Sequence, residues 1–270
     1  MKTILLDVGG TFIKCSDGRE IPVDSNGSRE EIVSSLRAAV GDASHVAVAI
    51  PGPFNYTDGV FLMKHKFAAV YGEKFGGLVN APGAVPARTY RFIHDVNCML
   101  LGEVVSGAGK GFDRVALVSL GTGLGFSLYV DGQILSDEMG SPLVKIWNRH
   151  YRDGILEDYV SKRGILAGYG STSLTVKEIA ALATSGDPRA LNAFKEAGTM
   201  LGEAIAPILQ EYRIQMLLLG GQISRSAHLF LPSLLSNIPS DVRVQPVSDF
   251  DHATFNGLKE LFHSFCLNNR

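Results

Sequence analysis

The hydrophobic positions of this chain form short runs of strand length, which alternate with stretches whose apolar residues recur at helical spacing. Uninterrupted apolar runs of this length are typical of strands that are buried on both faces. Glu30 and Glu31 stand in the first turn of the first helical stretch, where the helix dipole favours acidic side chains. The alternation of strands and helices predicts an α/β fold. The predicted strands cover residues 4–8, 46–50, 91–95, 115–120 and 214–219, and the predicted helices cover residues 28–40, 97–105 and 253–265.

Three of the predicted strands end in glycine-rich turns. Gly9-Gly10-Thr11 follows the first strand, residues 121–125 follow the strand at 115–120, and Gly220-Gly221 follows the strand at 214–219. A second strand leaves each of the first two turns, so the pattern of strand, turn and strand occurs twice. This repetition predicts two similar lobes, and the glycine-rich stretch at 107–111 is the predicted boundary between them.

Composition restricts the classes of function. A net charge of -2 over 270 residues provides no basic surface for nucleic acid. No apolar run is long enough to span a bilayer, and no cleavable signal region precedes the first strand. The three cysteines have neither the close spacing of a zinc site nor the even count of a secreted disulfide framework; they are Cys15, Cys98 and Cys266. We therefore expect a soluble cytoplasmic protein with reduced thiols.

The first strand and its turn carry the chemistry of a phosphate site. Glycine lacks the Cβ that would keep backbone N–H groups away from a phosphoryl group, so Gly9 and Gly10 suit this role. Asp7 at the end of the strand can hold Mg²⁺ through water, because Mg²⁺ on phosphate uses only one or two protein carboxylates. An ordinary hairpin remains the alternative interpretation of an apolar strand followed by Gly-Gly.

Together, several segments resemble the ROK group of sugar kinases (repressors, open reading frames, kinases) within the actin-like ATPase superfamily. They follow the order of the family along nearly the whole chain. The matching segments are residues 7–14, Pro51-Gly52-Pro53 with Gly59, residues 94–97 with Gly102 and Glu103, and residues 107–111, 120–132, 157–161 and 220–224.

The resemblance implies two RNase H-like lobes that flank a nucleotide and sugar cleft. The N-terminal lobe would comprise residues 1–106, with residues 253–270 returning to it, and the C-terminal lobe residues 107–252. ATP and Mg²⁺ are the implied cofactors, with Mg²⁺ near Asp7 and adenosine near Gly220-Gly221. The implied nucleotide-binding residues are Asp7, Gly9, Gly10, Thr11, Lys14, Gly121, Thr122, Gly123, Gly125, Gly220 and Gly221.

The same resemblance makes Asp95 the general base that takes the proton from the attacking sugar hydroxyl. A carboxylate suits this task, because phosphoryl transfer depends mainly on positioning and charge stabilisation. The alternative interpretation of Asp95 is an N-cap on a helix that begins at Asn97, and the two roles can coexist. Sugar contacts are implied for Gly52, His94, Glu138 and Glu157, although Glu157 can also be read as a solvated helix residue.

Two departures from the family pattern affect the expected site. His94 stands where most relatives have an asparagine that contacts sugar, and packing without a sugar contact is the alternative for it. Ser141 replaces the usual zinc-binding histidine and the neighbouring cysteine cluster is absent, so we predict no zinc site. Trp147 and Tyr151 occupy that region, either lining the sugar pocket or forming core.

Two hypotheses about function follow. The first is an ATP-dependent kinase for a hydroxyl of a hexose or N-acylhexosamine, and the resemblance further suggests a homodimer. The second is a regulatory or scaffold protein of the same fold that binds sugar with little or no turnover.

The basic residues Lys64-His65-Lys66 are interpreted as a solvated surface, with attraction of an anionic sugar as the alternative.

Overall fold

A computed structural model describes residues 2–80 and 88–268, with side chains described for residues 2–80 and 88–263. The chain divides into two compact units, Met1–Val105 with Ser136–Pro142 and Asp251–Arg270, and Ser106–Leu135 with Leu143–Phe250. Residues 136–142, which the sequence analysis assigned to the C-terminal lobe, cluster with the first unit. None of the helices among the described residues is long and apolar enough to cross a membrane.

The first unit contains a five-stranded sheet built from β1 (Thr3–Val8), β2 (Phe12–Cys15), β3 (Glu20–Pro22), β4 (His45–Ile50) and β7 (Thr89–His94), in the order β3-β2-β1-β4-β7. Strands β1, β2 and β3 pair antiparallel, whereas β1, β4 and β7 pair parallel. A 3-10 helix covers Ala68–Val70. The elements are β1 (Thr3–Val8), β2 (Phe12–Cys15), β3 (Glu20–Pro22), α1 (Arg29–Val40), β4 (His45–Ile50), β5 (Phe54–Asn55), β6 (Val60–Phe61), α2 (Phe75–Val79), β7 (Thr89–His94) and α3 (Asp95–Ser106).

Helix α1 has clear sequence signals at both ends. The Ser28 hydroxyl accepts a hydrogen bond from the Glu31 amide, and the Glu31 carboxylate accepts one from the Ser28 amide, which forms a capping box. Gly41 ends the helix with φ of 56°, and its amide donates to the Arg37 carbonyl. The buried face of α1, which includes Ile32 and Leu36, packs on the sheet core as predicted.

The second unit repeats the sheet topology of the first. Its five strands have the order β10-β9-β8-β13-β14, again with three antiparallel strands and then two parallel ones. The predicted α/β fold with two similar sheets is therefore confirmed. A 3-10 helix covers Gln222–Leu229. The elements are β8 (Arg114–Leu120), β9 (Leu124–Val130), β10 (Gln133–Ile134), β11 (His150–Tyr151), β12 (Gly154–Ile155), α4 (Glu157–Val160), α5 (Lys162–Tyr169), α6 (Val176–Thr184), α7 (Pro188–Glu211), β13 (Met216–Gly220), α8 (Leu231–Leu235) and β14 (Arg243–Pro246).

The last helix, α9 (Ala253–Asn268), packs in the first unit beneath β1 and β4. Leu258 joins a buried cluster with Leu5, Ala47, Ala49 and Cys98. Helices α3 and α9 approach closely through glycine. A Cβ on Gly102 would lie 2.3 Å from the Ala253 carbonyl oxygen, and a Cβ on Gly257 would lie 1.9 Å from the Cys98 carbonyl oxygen. Residues 269 and 270, the end of the segment expected to return, lie outside the described residues.

This contact predicts a large loss of stability for Gly257→Ala. The added methyl group must push α9 away from α3, and overpacking of this kind typically costs about 1–3 kcal/mol or more. Gly77→Ala in α2 is the matched control, since a Cβ there has no neighbour within 4 Å. We expect the control to be neutral or slightly stabilising. Equal urea midpoints for the two variants would contradict the close contact.

Candidate functional site

The turn between β1 and β2 forms a candidate phosphate loop. The Gly9 amide donates to the Phe12 carbonyl at 2.9 Å, so Gly9 closes the hairpin and does not offer the donor that the sequence analysis expected of it. Among the described residues, the amides of Gly10 and Thr11 donate no hydrogen bond. Two adjacent unused N–H groups are the kind of donor pair that an anion requires.

Asp7 lies on β1 opposite Lys14 on β2. The pKa of Asp7 is raised from 3.8 to about 6, mainly by burial and further by the negative charge of Asp95, with the positive charge of Lys14 partly opposing both effects. A half-buried carboxylate that is short of positive charge fits a divalent cation, which would remove the repulsion from Asp95. The predicted position of Asp7 near Mg²⁺ is therefore chemically consistent with its surroundings.

Lys66 lies beside this loop, a position that the sequence analysis missed. A Cβ on Gly10 would lie 3.7 Å from Lys66 Cε, and Lys66 is half-buried although Lys64 and His65 are exposed. The backbone holds it there: the Ser25 amide donates to the Gly10 carbonyl at 3.1 Å, and the Phe67 amide donates to the Ser25 carbonyl. Phe67 is fully buried and left-handed, with φ of 51°. No sequence signal distinguished Lys66 from the other two basic residues.

Asp95 is the first residue of α3, directly after β7. Its Oδ1 accepts the Val96 amide at 2.8 Å and lies 2.8 Å from His94 Nδ1. Burial raises the pKa of Asp95, but the His94 charge and hydrogen bond, the Val96 amide and the Lys66 charge outweigh burial, so the net pKa is lowered. The helix begins at Asp95 and not at Asn97, so the N-cap interpretation does not describe this geometry.

Gly52 and Tyr56 lie against His94. The His94 and Tyr56 rings are 5.7 Å apart, and the Tyr56 hydroxyl donates to the Ile50 carbonyl at 3.0 Å. A Cβ on Gly52 would lie 3.3 Å from the Tyr56 hydroxyl and 3.5 Å from His94 Nε2. Because Gly52 has no side chain, the edge of the His94 imidazole can pack directly against it. The peptide bond from Gly52 to Pro53 is cis.

The turn that carries Glu138 is attached to the first unit by buried Asn97. The Asn97 amide group donates to the Ser136 hydroxyl at 3.1 Å and to the Gly140 carbonyl at 3.4 Å. The Tyr56 amide also donates to the Met139 carbonyl at 2.8 Å. These contacts explain why residues 136–142 cluster with the first unit. Glu138 itself is exposed, so its predicted sugar contact stays a prediction.

In the second unit, the turn between β8 and β9 consists of Gly121, Thr122 and Gly123. The amides of Thr122 and Gly123 donate no hydrogen bond among the described residues, and a Cβ on Gly121 would meet open space. Gly125, expected in the loop, already pairs with Ser119 in the sheet. The turn is shorter than the sequence predicted because β9 begins at Leu124.

Glu157 contacts this turn directly. Its Oε2 accepts the Leu124 amide at 2.8 Å, and a Cβ on Gly123 would lie 2.9 Å from the same oxygen. Its Oε1 accepts a hydrogen bond from Arg163 at 2.7 Å, and Arg163 also pairs with Asp158. Glu157 is therefore not the solvated helix residue of the alternative interpretation, since both carboxylate oxygens have partners.

Gly220 ends β13, and Gly221 begins the turn that was assigned to adenosine. Gly221 has φ of 79°, and a Cβ there would lie 2.3 Å from the Leu120 carbonyl oxygen. The Ser224 hydroxyl donates to the Gly220 carbonyl at 2.6 Å. Packing against β8 is thus sufficient to require glycine at position 221, whatever ligand the turn binds.

The short β11–β12 hairpin lies in the region where the sequence lacks the usual zinc-binding cysteines of the family. The Tyr151 hydroxyl donates to Glu203 at 2.8 Å, and its ring lies 5.5 Å from the Tyr159 ring. The Arg152 guanidinium lies 5.6 Å and 5.7 Å from these two rings. Trp147 is 43% exposed, so it is not core. The part of the chain with described side chains contains no group of three or more His, Cys, Asp or Glu that could hold a metal.

These two sheets and their turns define an α/β protein of the actin-like ATPase fold. The family model described as ROK family matches residues 29–256. The chain therefore belongs to the ROK family, as its motifs predicted.

Individual relatives carry different names. The chain is 24% identical over 212 residues to an N-acetyl-D-glucosamine kinase of Yersinia enterocolitica, covering 70% of this chain and 69% of the relative. It is 29% identical over 167 residues to the xylose repressor of Bacillus subtilis, covering 56% of this chain and 42% of the repressor. The structure of a ROK family glucokinase from Streptomyces griseus in complex with glucose and AMPPNP has a TM-score of 0.76 and 22% identity, covering 96% of this chain and 98% of that one.

The raised pKa of Asp7 predicts that Asp7→Asn stabilises the ligand-free protein near neutral pH. The folded state binds this proton more tightly than the unfolded chain, so ionisation of Asp7 destabilises the fold as pH rises from 3.8 to about 6. The two pKa values correspond to an upper limit of about 3 kcal/mol, and we expect a gain of about 2 kcal/mol.

Urea unfolding at several pH values tests this. The gain should shrink as the pH falls through about 6, because the wild-type carboxyl then becomes neutral. Asp241→Asn, at an exposed site, should change stability by less than about 0.5 kcal/mol. A loss of stability in Asp7→Asn at neutral pH would contradict the assignment.

Proposed function

We propose that the protein is an ATP-dependent kinase that phosphorylates a hydroxyl of a hexose or N-acylhexosamine. The observation that carries this proposal is the environment of Asp95. Its Oδ1 accepts the Val96 amide and lies 2.8 Å from His94 Nδ1, whereas its Oδ2 accepts no hydrogen bond among the described residues. The same carboxylate is coupled by charge to Asp7 and Lys66, which flank the candidate phosphate loop. A carboxylate with a free oxygen, close enough to the candidate phosphate loop to be coupled to its flanking charges, supports the role of Asp95 as the base.

Membership of the ROK family supports the activity. Relatives are named N-acetyl-D-glucosamine kinase and glucokinase, and the glucokinase structure contains glucose and AMPPNP. These names support the class of sugar and the use of ATP for this chain.

Asp95 would accept the proton from the sugar hydroxyl as its oxygen attacks phosphorus. The bond between phosphorus and the ADP oxygen breaks in the same step, and the proton goes to Oδ2. The Asp95 side chain is 36% exposed, which leaves a route for the proton to return to water after transfer. A base of lowered pKa is adequate, because it need only orient the hydroxyl and accept a late proton.

The first unit also holds the groups that would balance phosphate charge. The free amides of Gly10 and Thr11 would donate to phosphate oxygens, and the Lys66 ammonium would neutralise charge beside them. Asp7 would hold Mg²⁺ through water, since the cation takes only one or two protein carboxylates when phosphate supplies other ligands. Mg²⁺ when bound supplies counter-charge to the phosphates.

In the second unit, the free amides of Thr122 and Gly123 would bind phosphate. Glu157 would bind a sugar hydroxyl with the remaining lone pairs of its carboxylate while its Oε2 holds the Leu124 amide. Gly220 and Gly221 would contact the adenosine of ATP.

A homodimer in the cytosol completes the proposal. The resemblance to ROK kinases supports the homodimer, and the free thiols of buried Cys15 and Cys98 support a reducing compartment. Light scattering coupled to gel filtration measures the assembly.

The second candidate function is a sugar-binding regulator without useful turnover. The similarity to a xylose repressor favours it, as does His94 in place of the usual asparagine. Sugar binding without ADP release over a panel of hexoses and hexosamines would favour this candidate over the kinase.

Asp95→Asn tests the assignment of the base. It removes the proton acceptor while retaining side-chain size, and we expect sugar-dependent ADP release to fall by about 10²- to 10⁴-fold. Asp241→Asn is the control. Activity of Asp95→Asn within a few fold of wild type would rule out Asp95 as the base.

Lys66→Met tests the proposed phosphate cation. Loss of one preorganised positive group should lower kcat by about 10²-fold. Lys64→Met is the matched control, because Lys64 is exposed and its ammonium lies 5.4 Å from the Tyr71 ring centroid. Equal effects of the two substitutions on kcat would contradict a role for Lys66 in phosphate binding and would support the interpretation of Lys66 as part of a solvated surface.

The absence of a zinc site stays a prediction. Elemental analysis should give far less than one equivalent of zinc, and a chelator should leave the melting temperature unchanged. Stoichiometric, tightly bound zinc would contradict it.

A further inference from the structure

We propose that His94 positions the carboxylate of Asp95 by donating a hydrogen bond from Nδ1 to Oδ1, and that the Nδ1 face of the ring is therefore not available to the sugar. This inference rests on the proposed kinase function. It replaces the sugar contact expected for His94 with a role that acts through Asp95.

The arrangement of three atoms assigns the proton on the ring. The Val96 N–H is within hydrogen-bonding geometry of two acceptors, Asp95 Oδ1 at 2.8 Å and His94 Nδ1 at 3.2 Å, and Nδ1 itself lies 2.8 Å from the same Oδ1. If Nδ1 carried no proton, two lone pairs would face each other over 2.8 Å, which is repulsive. The Val96 amide has one hydrogen, and its shorter contact is with Oδ1. Nδ1 must therefore be the second donor.

The surrounding residues fix the ring from its other edge. The His94 side chain is 17% exposed and lies beside the Tyr56 ring, which is itself anchored by its hydroxyl to the Ile50 carbonyl. Gly52 lies against the edge that carries Cδ2 and Nε2. The imidazole therefore has little freedom to rotate away from Asp95.

Two donors on Oδ1 determine what Oδ2 can do. A carboxylate that is free to rotate would exchange its two oxygens, whereas one with an occupied Oδ1 presents Oδ2 in a fixed direction. Fixing a reactive group in this way removes part of the entropy loss from the reaction step. Groups that orient a ligand or base from behind typically change rates by about 10- to 100-fold when removed.

Two substitutions separate the positioning role from a sugar contact. The amide nitrogen of asparagine falls close to the position of imidazole Nδ1, and that of glutamine reaches the position of Nε2. We expect His94→Asn to keep kcat within about 3-fold of wild type, and His94→Gln to lower kcat by about 10-fold or more with a smaller change in sugar KM. His65→Gln, at an exposed site, is the control.

Long-range ¹H–¹⁵N NMR of the imidazole tests the contact without turnover. The spectrum of neutral His94 should show a protonated Nδ1 and an unprotonated Nε2, and Asp95→Ala should abolish this preference. The inference is overturned by a protonated Nε2 with bare Nδ1 in the wild type. It is also overturned if His94→Gln retains kcat while His94→Asn loses it, although the kinase function would then stand. If the wild type phosphorylates no sugar, the proposed function fails, and the NMR result still decides whether His94 orients Asp95.

Discussion

The main physical constraint on the candidate site of the first unit is that the Asp95 carboxylate is ionised although its side chain is half-buried. An isolated charge in such a place is strongly unfavourable, so hydrogen bonds and opposite charge must compensate for the lost water. The Val96 amide and His94 provide the hydrogen bonds, and Lys66 provides part of the charge. The same negative charge raises the pKa of Asp7, so the two carboxylates share one electrostatic environment.

Helix α3 links this environment to the packing of the unit. Asp95 begins the helix, and Asn97, two residues further along, holds the segment that carries Glu138. Gly102 and Gly257 let α3 and α9 approach until backbone meets backbone. A shift of α3 would therefore move Asp95 and the Glu138 turn together. Stability and site geometry are coupled through one helix.

Much of the fold could be predicted from the sequence because it follows from local patterns. The apolar runs indicated the central strands, and Asp131 and Gly132 both have positive φ, as Asp-Gly typically has in a two-residue hairpin turn. The limits of the turns could not be predicted. Gly125 was expected in a phosphate loop but lies in β9, because a glycine in sequence does not reveal where pairing resumes.

The site residues were harder to predict where long-range contacts decide their roles. Lys66 looked like part of a solvated charge run, and only the hydrogen bonds from Gly10 through Ser25 to Phe67 bring it to the loop. Glu157 was assigned to sugar from its motif, and its contact with the Leu124 amide had no local signal.

The central claim, that Asp7 and Asp95 are coupled, is tested most directly by measuring the pKa of Asp7 by ¹³C NMR in wild type and Asp95→Asn. Loss of the Asp95 charge should lower the pKa of Asp7 below about 6, and an unchanged or higher value would contradict the account.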